Sequence, residues 1–129
     1  MEIAAAPHPF AELIGLEFDH KRAGESLCRL RVSEALMNPQ GVVHGAVLYA
    51  LADTGMGGAL YPTLEAGQLC ATIEIKISYF RPVRGGEVRC HSRISHRGSR
   101  VASLESEIQA GEVLVAKASG SFSIFTPRA

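Results

Sequence analysis

A single carboxylate stands in an otherwise apolar run. Residues 44–60 read HGAVLYALADTGMGGAL, and Asp53 is the only acid among them. An ionised carboxylate held among apolar side chains is costly unless something compensates it. Two readings are open: Asp53 is a general base or nucleophile whose pKa is set by partial burial, or an inert acid that caps a backbone group or pairs with an arginine. His44 and Gly45 begin the same run. There the first N–H groups of a helix lack intrahelical partners and carry the positive end of its dipole. Such a terminus can hold an oxyanion. Gly45 would let a carbonyl approach the backbone, though a glycine here equally eases a tight turn. His44 could serve as an acid/base or only as a hydrogen-bonding residue at the helix start. Asn38 could orient a water or a carbonyl through its amide, or simply mark an Asn-Pro turn. Thr72 could hold a water or orient Asp53, or be a solvated strand threonine.

These residues need a frame. The apolar run from His44 leaves almost no polar face before Asp53, which predicts a buried helix that stops near Pro62. Gly55, Gly57 and Gly58 are poor helix formers, so close backbone packing must reward them. Before the helix, residues 7–14 carry Phe10, Leu13 and Ile14 at helical spacing, and residues 16–22 and 26–32 read as strands around a turn at Gly24. The segment 37–41 reads as a loop. After it, Leu69, Ala71, Ile73, Ile75, Ile77 and Tyr79 alternate with polar or small residues, predicting a strand with those six on its buried face. Residues 81–86 turn the chain, and residues 87–96, 100–110 and 112–125 predict three more strands. Short connections predict antiparallel neighbours. The expected architecture is α+β: one long central helix wrapped by a curved antiparallel sheet of five to six strands. Its open edges, and Leu104 and Ile108 placed on its outer face, predict self-association.

A length of 129 residues with 47% hydrophobic composition fits one domain, 1–129, and 13 basic residues balance 13 acidic ones. No global charge draws the chain to nucleic acid or a membrane surface, so anion recognition must be local. Cys28, Cys70 and Cys90 are widely spaced and form no metal or dithiol motif, which predicts reduced, mostly buried thiols. The start lacks a secretory pattern and no stretch approaches a membrane span, so the expected location is cytoplasmic.

Taken together, Asn38, Val43-His44-Gly45-Ala46, Leu51-Ala52-Asp53 and Ser78-Tyr79-Phe80-Arg81-Pro82 resemble the signature of the PaaI-like (4HBT) branch of the hotdog-fold thioesterases. The departure is Ala46, where a second glycine is usual. The resemblance implies a hotdog fold and hydrolysis of an acyl-CoA to the free acid and CoA. It implies Asp53 as the catalytic carboxylate, the Gly45 N–H on the thioester carbonyl, Asn38 positioning water or carbonyl, Thr72 assisting the water, and His44 supporting the turn. The family implies composite sites at a homodimer interface and homotetramers built from such dimers. Aryl substrates such as phenylacetyl-CoA and medium-chain acyl groups both occur in it.

Spacing adds an independent point. Eight residues put Gly45 and Asp53 about 12 Å apart along one helix. One carbonyl cannot touch both, so if both act they must come from different chains. For the CoA phosphates the candidate cations are Arg81, Arg84, Arg97 and Arg100, the latter two around Gly98, and each alone reads equally as a surface arginine. Ala50, Ala59, Leu60 and Tyr61 could border the acyl group. No metal ligand spacing is present and no cofactor beyond substrate CoA is implied. The rival from another class is a non-catalytic acyl-CoA binding or scaffolding protein, which loss of the acid would have favoured. A hydratase of the same fold would need an Asp/His pair on the helix that is not evident.

Overall fold

The computed structural model describes residues 8–128. A short helix α1 (Pro9–Ile14) opens the described chain; its N-cap His8 accepts the Ala11 N–H through Nδ1 at 3.2 Å, and Gly15, at φ 79°, closes it. Pro7 lies outside the described residues. Strands β1 (Leu16–Arg22) and β2 (Glu25–Arg31) follow, joined at Gly24, whose φ of 92° suits glycine. A 3-10 turn (Glu34–Leu36) and a loop lead into α2 (Gly45–Leu60), which passes into a second 3-10 turn (Tyr61–Thr63) at Pro62. Strands β3 (Leu69–Tyr79), β4 (Glu87–Arg97), β5 (Val101–Ala110) and β6 (Val113–Phe125) complete the chain.

All six strands form one sheet in the order β1-β2-β4-β5-β6-β3, every neighbouring pair antiparallel. The link at 80–86 therefore does not make a hairpin. It carries the chain from the far edge back to the middle of the sheet, anchored by buried Val83, whose carbonyl accepts the Val43 N–H at 2.7 Å. The thirteen residues of β6 take the place beside β3 that a hairpin partner would have filled.

Helix α2 lies on the inner face of the sheet and is held by contact closer than ordinary side chains allow. A Cβ on Gly55 would stand 2.4 Å from Ser92 Oγ, and one on Gly58 would stand 2.5 Å from the Phe18 ring. Gly57 points into open space. Two of the three glycines thus answer the packing expectation and the third does not. Hydroxyls buried beneath the helix use its backbone carbonyls: Ser26 Oγ donates to Gly55 O at 2.6 Å and Ser106 Oγ to Ala52 O at 3.2 Å. Buried polar groups satisfied in this way cost little and bind helix to sheet in one register.

Leu104 and Ile108, expected on the outer face, are buried against the helix. Cross-strand pairs share a face, and Leu104 opposes Gly120 while Ile108 opposes Ala116, all on the inner side. The outer face is instead charged. Arg29 and Arg89 hold Asp19, His20 and His91 face Glu25, and Arg93 and Lys117 reach Glu107.

Strand β3 also departs from strict alternation. Its register shifts between Thr72 and Glu74, so Ile73 is the extra residue of a bulge. The inner set is therefore Cys70 and Thr72 before the bulge and Ile75, Ile77 and Tyr79 after it, read from their inward-facing partners on β6. Leu69 and Ile73 are exposed. No helix among the described residues is long and apolar enough to cross a membrane.

Candidate active site

The bulge in β3 brings Thr72 to the helix. Its Oγ1 donates to Asp53 Oδ1 at 2.7 Å. Asp53 is half-buried on the flank of α2 that the sheet leaves open, on one stripe with Ala46, Tyr49 and Gly57. Neither an arginine nor a backbone N–H reaches its carboxylate among the described residues, so both inert readings lose their partner. The carboxylate is less enclosed than an all-apolar helix suggests, because the stripe of Ala46, Tyr49, Asp53 and Gly57 is left partly uncovered. Beside it, Cys70 is half-buried; burial, and then the Asp53 charge, push its thiol up to about 11.

Around the helix start, His44 is the N-cap, and its Nδ1 accepts the Ala46 N–H at 2.9 Å while its carbonyl accepts the Val47 N–H at 2.9 Å. Acceptance at Nδ1 assigns the proton to Nε2 in the neutral ring. The Gly45 N–H has no partner among the described residues. Tyr79 stands over this turn: its hydroxyl donates to Gly45 O at 2.8 Å, and its ring lies 3.1 Å from where a Gly45 Cβ would sit. A Cβ at 45 would therefore press on the Tyr79 ring and displace it by a few tenths of an ångström. The sequence showed Tyr79 as a strand residue and as part of the motif at 78–82, with no role assigned to it. Its contact with Gly45, 34 positions away, left no local signal.

Asn38 sits in the loop before α2. Its Oδ1 accepts the Gln40 N–H at 3.0 Å and the Val42 N–H at 3.4 Å, forming an Asx turn. That orientation leaves the Nδ2 hydrogens as donors, so Asn38 can offer a proton to a carbonyl or water and cannot accept one through Oδ1 without breaking the turn.

The arginines lie in two pairs near opposite ends of α2. Arg81 lines a cleft of about 310 Å³ with Gly45, Tyr79 and Phe80, and exposed Arg84 lies in the same link. Arg97 lies beyond the other end, where it donates to Thr63 Oγ1 at 3.0 Å, to Thr63 O at 3.2 Å and to Gly98 O. It ties the turn after α2 to the β4–β5 turn. Gly98 is required there, since a Cβ would meet Val101 O at 2.5 Å. Arg100 is exposed. Of the residues expected beside an acyl group, Ala59 and Leu60 are fully buried in the core and line neither the Arg81 cleft nor a second one of about 360 Å³, which Ala50 does line. All three cysteines are free, Cys28 and Cys90 buried in the core. The Cys28 thiol is held far above its ordinary range by its contact with Cys90 and by burial.

A small helix-on-sheet domain with an acid at mid-helix and a free N–H at the helix start defines a class, and the comparisons agree with it. Residues 40–117 match the family model described as the thioesterase superfamily, 4HBT, and the chain belongs to that family. A Pseudomonas aeruginosa protein provisionally named an esterase is 34% identical over 116 residues, covering 88% of this chain and 87% of that protein. The proofreading thioesterase EntH of Klebsiella pneumoniae is 28% identical over 79% of this chain and 74% of its own length. Among solved structures, a point mutant of the phenylacetic acid degradation protein PaaI from Thermus thermophilus superposes with a TM-score of 0.84. It is 27% identical and covers 90% of this chain and 98% of that one. The six-stranded curved sheet with one long helix is thus the hotdog fold of this superfamily.

Proposed function

We propose that the protein hydrolyses an aryl- or medium-chain acyl-CoA to the carboxylic acid and CoA, working as a homodimer whose two sites are each built from both chains. The observation that carries this reading is the Thr72–Asp53 pair on the open flank of α2, a long way down the helix from the free Gly45 N–H. With Oδ1 held by Thr72, Asp53 Oδ2 is left to take a proton from water or to attack the thioester carbon itself. In the first route, water adds to the carbonyl as Asp53 removes its proton. The oxyanion is held by the Gly45 N–H and the Asn38 amide, and collapse expels the CoA thiolate, which takes up the proton. In the second, the Asp53 carboxylate displaces the CoA thiolate to form a mixed anhydride, and water then cleaves it to release the acid and restore Asp53. His44 supports the turn as its cap.

Supporting the dimer are the edge position of β3, with Ile73 half exposed, and the small uncovered surface of α2 at Ala46 and Gly57. A two-fold axis that sets two copies of α2 antiparallel places each Asp53 toward the other chain's Gly45. It also brings the two arginine pairs of different chains toward one another. Arg81 and Arg84 are the better phosphate ligands, because Arg97 already spends three donors within the chain; Gly98 shapes the turn that presents Arg100. Dimers of this kind would pair further into a tetramer.

The test is thiol release from a panel of acyl-CoAs. Turnover above an Asp53→Asn control is expected; no release on any substrate would leave the binding or scaffolding reading in its place. The composite site is tested by co-expressing Asn38→Ala and Asp53→Asn chains and isolating the heterodimer. One restored site per heterodimer is expected, and activity no better than either homodimer would refute the shared site.

A further inference from the structure

Two clefts flank the first turn of α2. Gly45 lines one, with Tyr79 and Arg81; Ala46, Val47 and Ala50 line the other, with α1 and the loop residues Leu36 and Met37 opposite them. We infer that the second cleft is the acyl subsite, that it selects uncharged apolar acyl groups, and that Phe10, Met37 and Ala50 set their size. The inference rests on the thioesterase reading and deepens it.

A thioester carbonyl whose oxygen sits on the Gly45 N–H has two substituents, the acyl carbon and the sulfur, diverging from one carbon. One cleft is lined by Gly45 itself and the other by its chain neighbours His44 and Ala46. Charge decides which substituent goes where. Arg81 and Arg84 of the 80–86 link both lie on the side of the first cleft, which favours that side for the long polyanionic CoA arm, while the Tyr79 hydroxyl there is already spent on Gly45 O. Among the described residues no arginine or lysine lines the α1 cleft, and the one titratable side chain on its wall, His44, has Nδ1 committed to the Ala46 N–H. A carboxylate brought into it would be desolvated with no cation to pair with and at most the His44 Nε2–H to receive it. An apolar chain would gain about fourfold in binding for each methylene taken from water. The cleft of about 360 Å³ is at the small end of ligand sites, enough for a phenyl ring or a medium chain.

Two sequence features gain a reason. Phe10, half exposed on a helix of only six residues, forms a wall of this cleft. Ala46, the departure from the usual second glycine, adds a methyl to the same wall. Selectivity then resides largely outside the catalytic motif, on α1 and the loop before α2.

The test uses the intact protein and thioethers that cannot be hydrolysed, S-octyl-CoA, S-methyl-CoA and S-(carboxypropyl)-CoA, with affinities from calorimetry. The wild type is expected to bind S-octyl-CoA at least thirtyfold more tightly than S-methyl-CoA and to show no such gain for the carboxypropyl analogue. Ala50→Leu, which fills the cleft, should cut the octyl-to-methyl ratio at least tenfold. Phe10→Ala, on a half-exposed side chain outside the hydrophobic core, should cut it at least threefold. Arg81→Ala should weaken all three together and leave the ratio alone. A ratio unmoved by Phe10→Ala and Ala50→Leu, or moved instead by Phe80→Ala in the opposite cleft, would overturn the assignment while leaving the thioesterase reading intact. If no thioether binds and no acyl-CoA is hydrolysed, both fall.

Discussion

Asp53 divides its two oxygens between Thr72 and open space, so substitutions at the two residues should differ in size. Asp53→Asn removes the base or nucleophile and should lower kcat by about 10²–10⁴-fold, whereas Thr72→Val removes one hydrogen bond to a charged group and should cost about 10- to 100-fold. Steady-state thiol release measures both; a Thr72→Val loss equal to that of Asp53→Asn would mean that the hydroxyl does more than orient the acid. Cys70 reports on the same carboxylate without turnover. Its thiol is raised first by burial and then by the Asp53 charge, so Asp53→Asn should bring the pKa down from about 11 and speed iodoacetamide alkylation at pH 8.5 several-fold. Mass spectrometry of the Cys70 peptide reads the rate. At this scale the sequence singled out Asp53 as a lone acid in an apolar helix and left its role open between two readings. It was ambiguous about Thr72, whose side depends on a bulge that strict alternation does not contain.

Among the elements, α2 and β3 carry most of the consequence. Glycines at 55 and 58 let the helix backbone settle onto Ser92 and Phe18, so Gly55→Ala and Gly58→Ala should each destabilise by about 1–3 kcal/mol through overpacking. Gly57→Ala meets nothing within 4 Å and replaces a poor helix former, so denaturant unfolding should show no loss in the single chain and a gain of up to about 1 kcal/mol. A helical spacing of glycines alone does not say which ones face a neighbour; the positions of Ser92 and Phe18 do. Strand β3 was delimited correctly at Leu69–Tyr79 from composition and period, yet its buried set shifted by one residue before the bulge, and its partner is β6 rather than β4. Pairing between distant strands is a decision of tertiary packing, which local pattern does not encode.

Across the whole molecule, the outer sheet face is a network of exposed ion pairs. The Arg29 hydrogen bond holds the Asp19 carboxyl below its usual range, and the His91 contact does the same for Glu25, aided by Arg22 and His20. A carboxyl whose folded pKa is depressed contributes stability above its unfolded value and loses it as pH falls through the folded one. Stability from Asp19 should therefore be full above about pH 5 and fade below about pH 4, and that from Glu25 should fade over the same acid range, a decline that Asp19→Asn and Glu25→Gln together should flatten in Tm-against-pH scans. Charge periodicity on β2, β4 and β5 contained this face in principle, but assigning Leu104 and Ile108 outward reversed the phase of β5. What the sequence determined by itself was the set of elements, the buried helix, and the residues of the 38–53 segment, because periodicity, turn chemistry and an isolated acid are local signals. Tertiary structure alone decided the strand order, the bulge that turns Thr72 toward Asp53, the placing of Tyr79 over Gly45, and the separation of the arginines into two pairs. Each of these depends on contacts between residues far apart in the chain, where packing and hydrogen-bond geometry choose among partners that the sequence leaves equivalent.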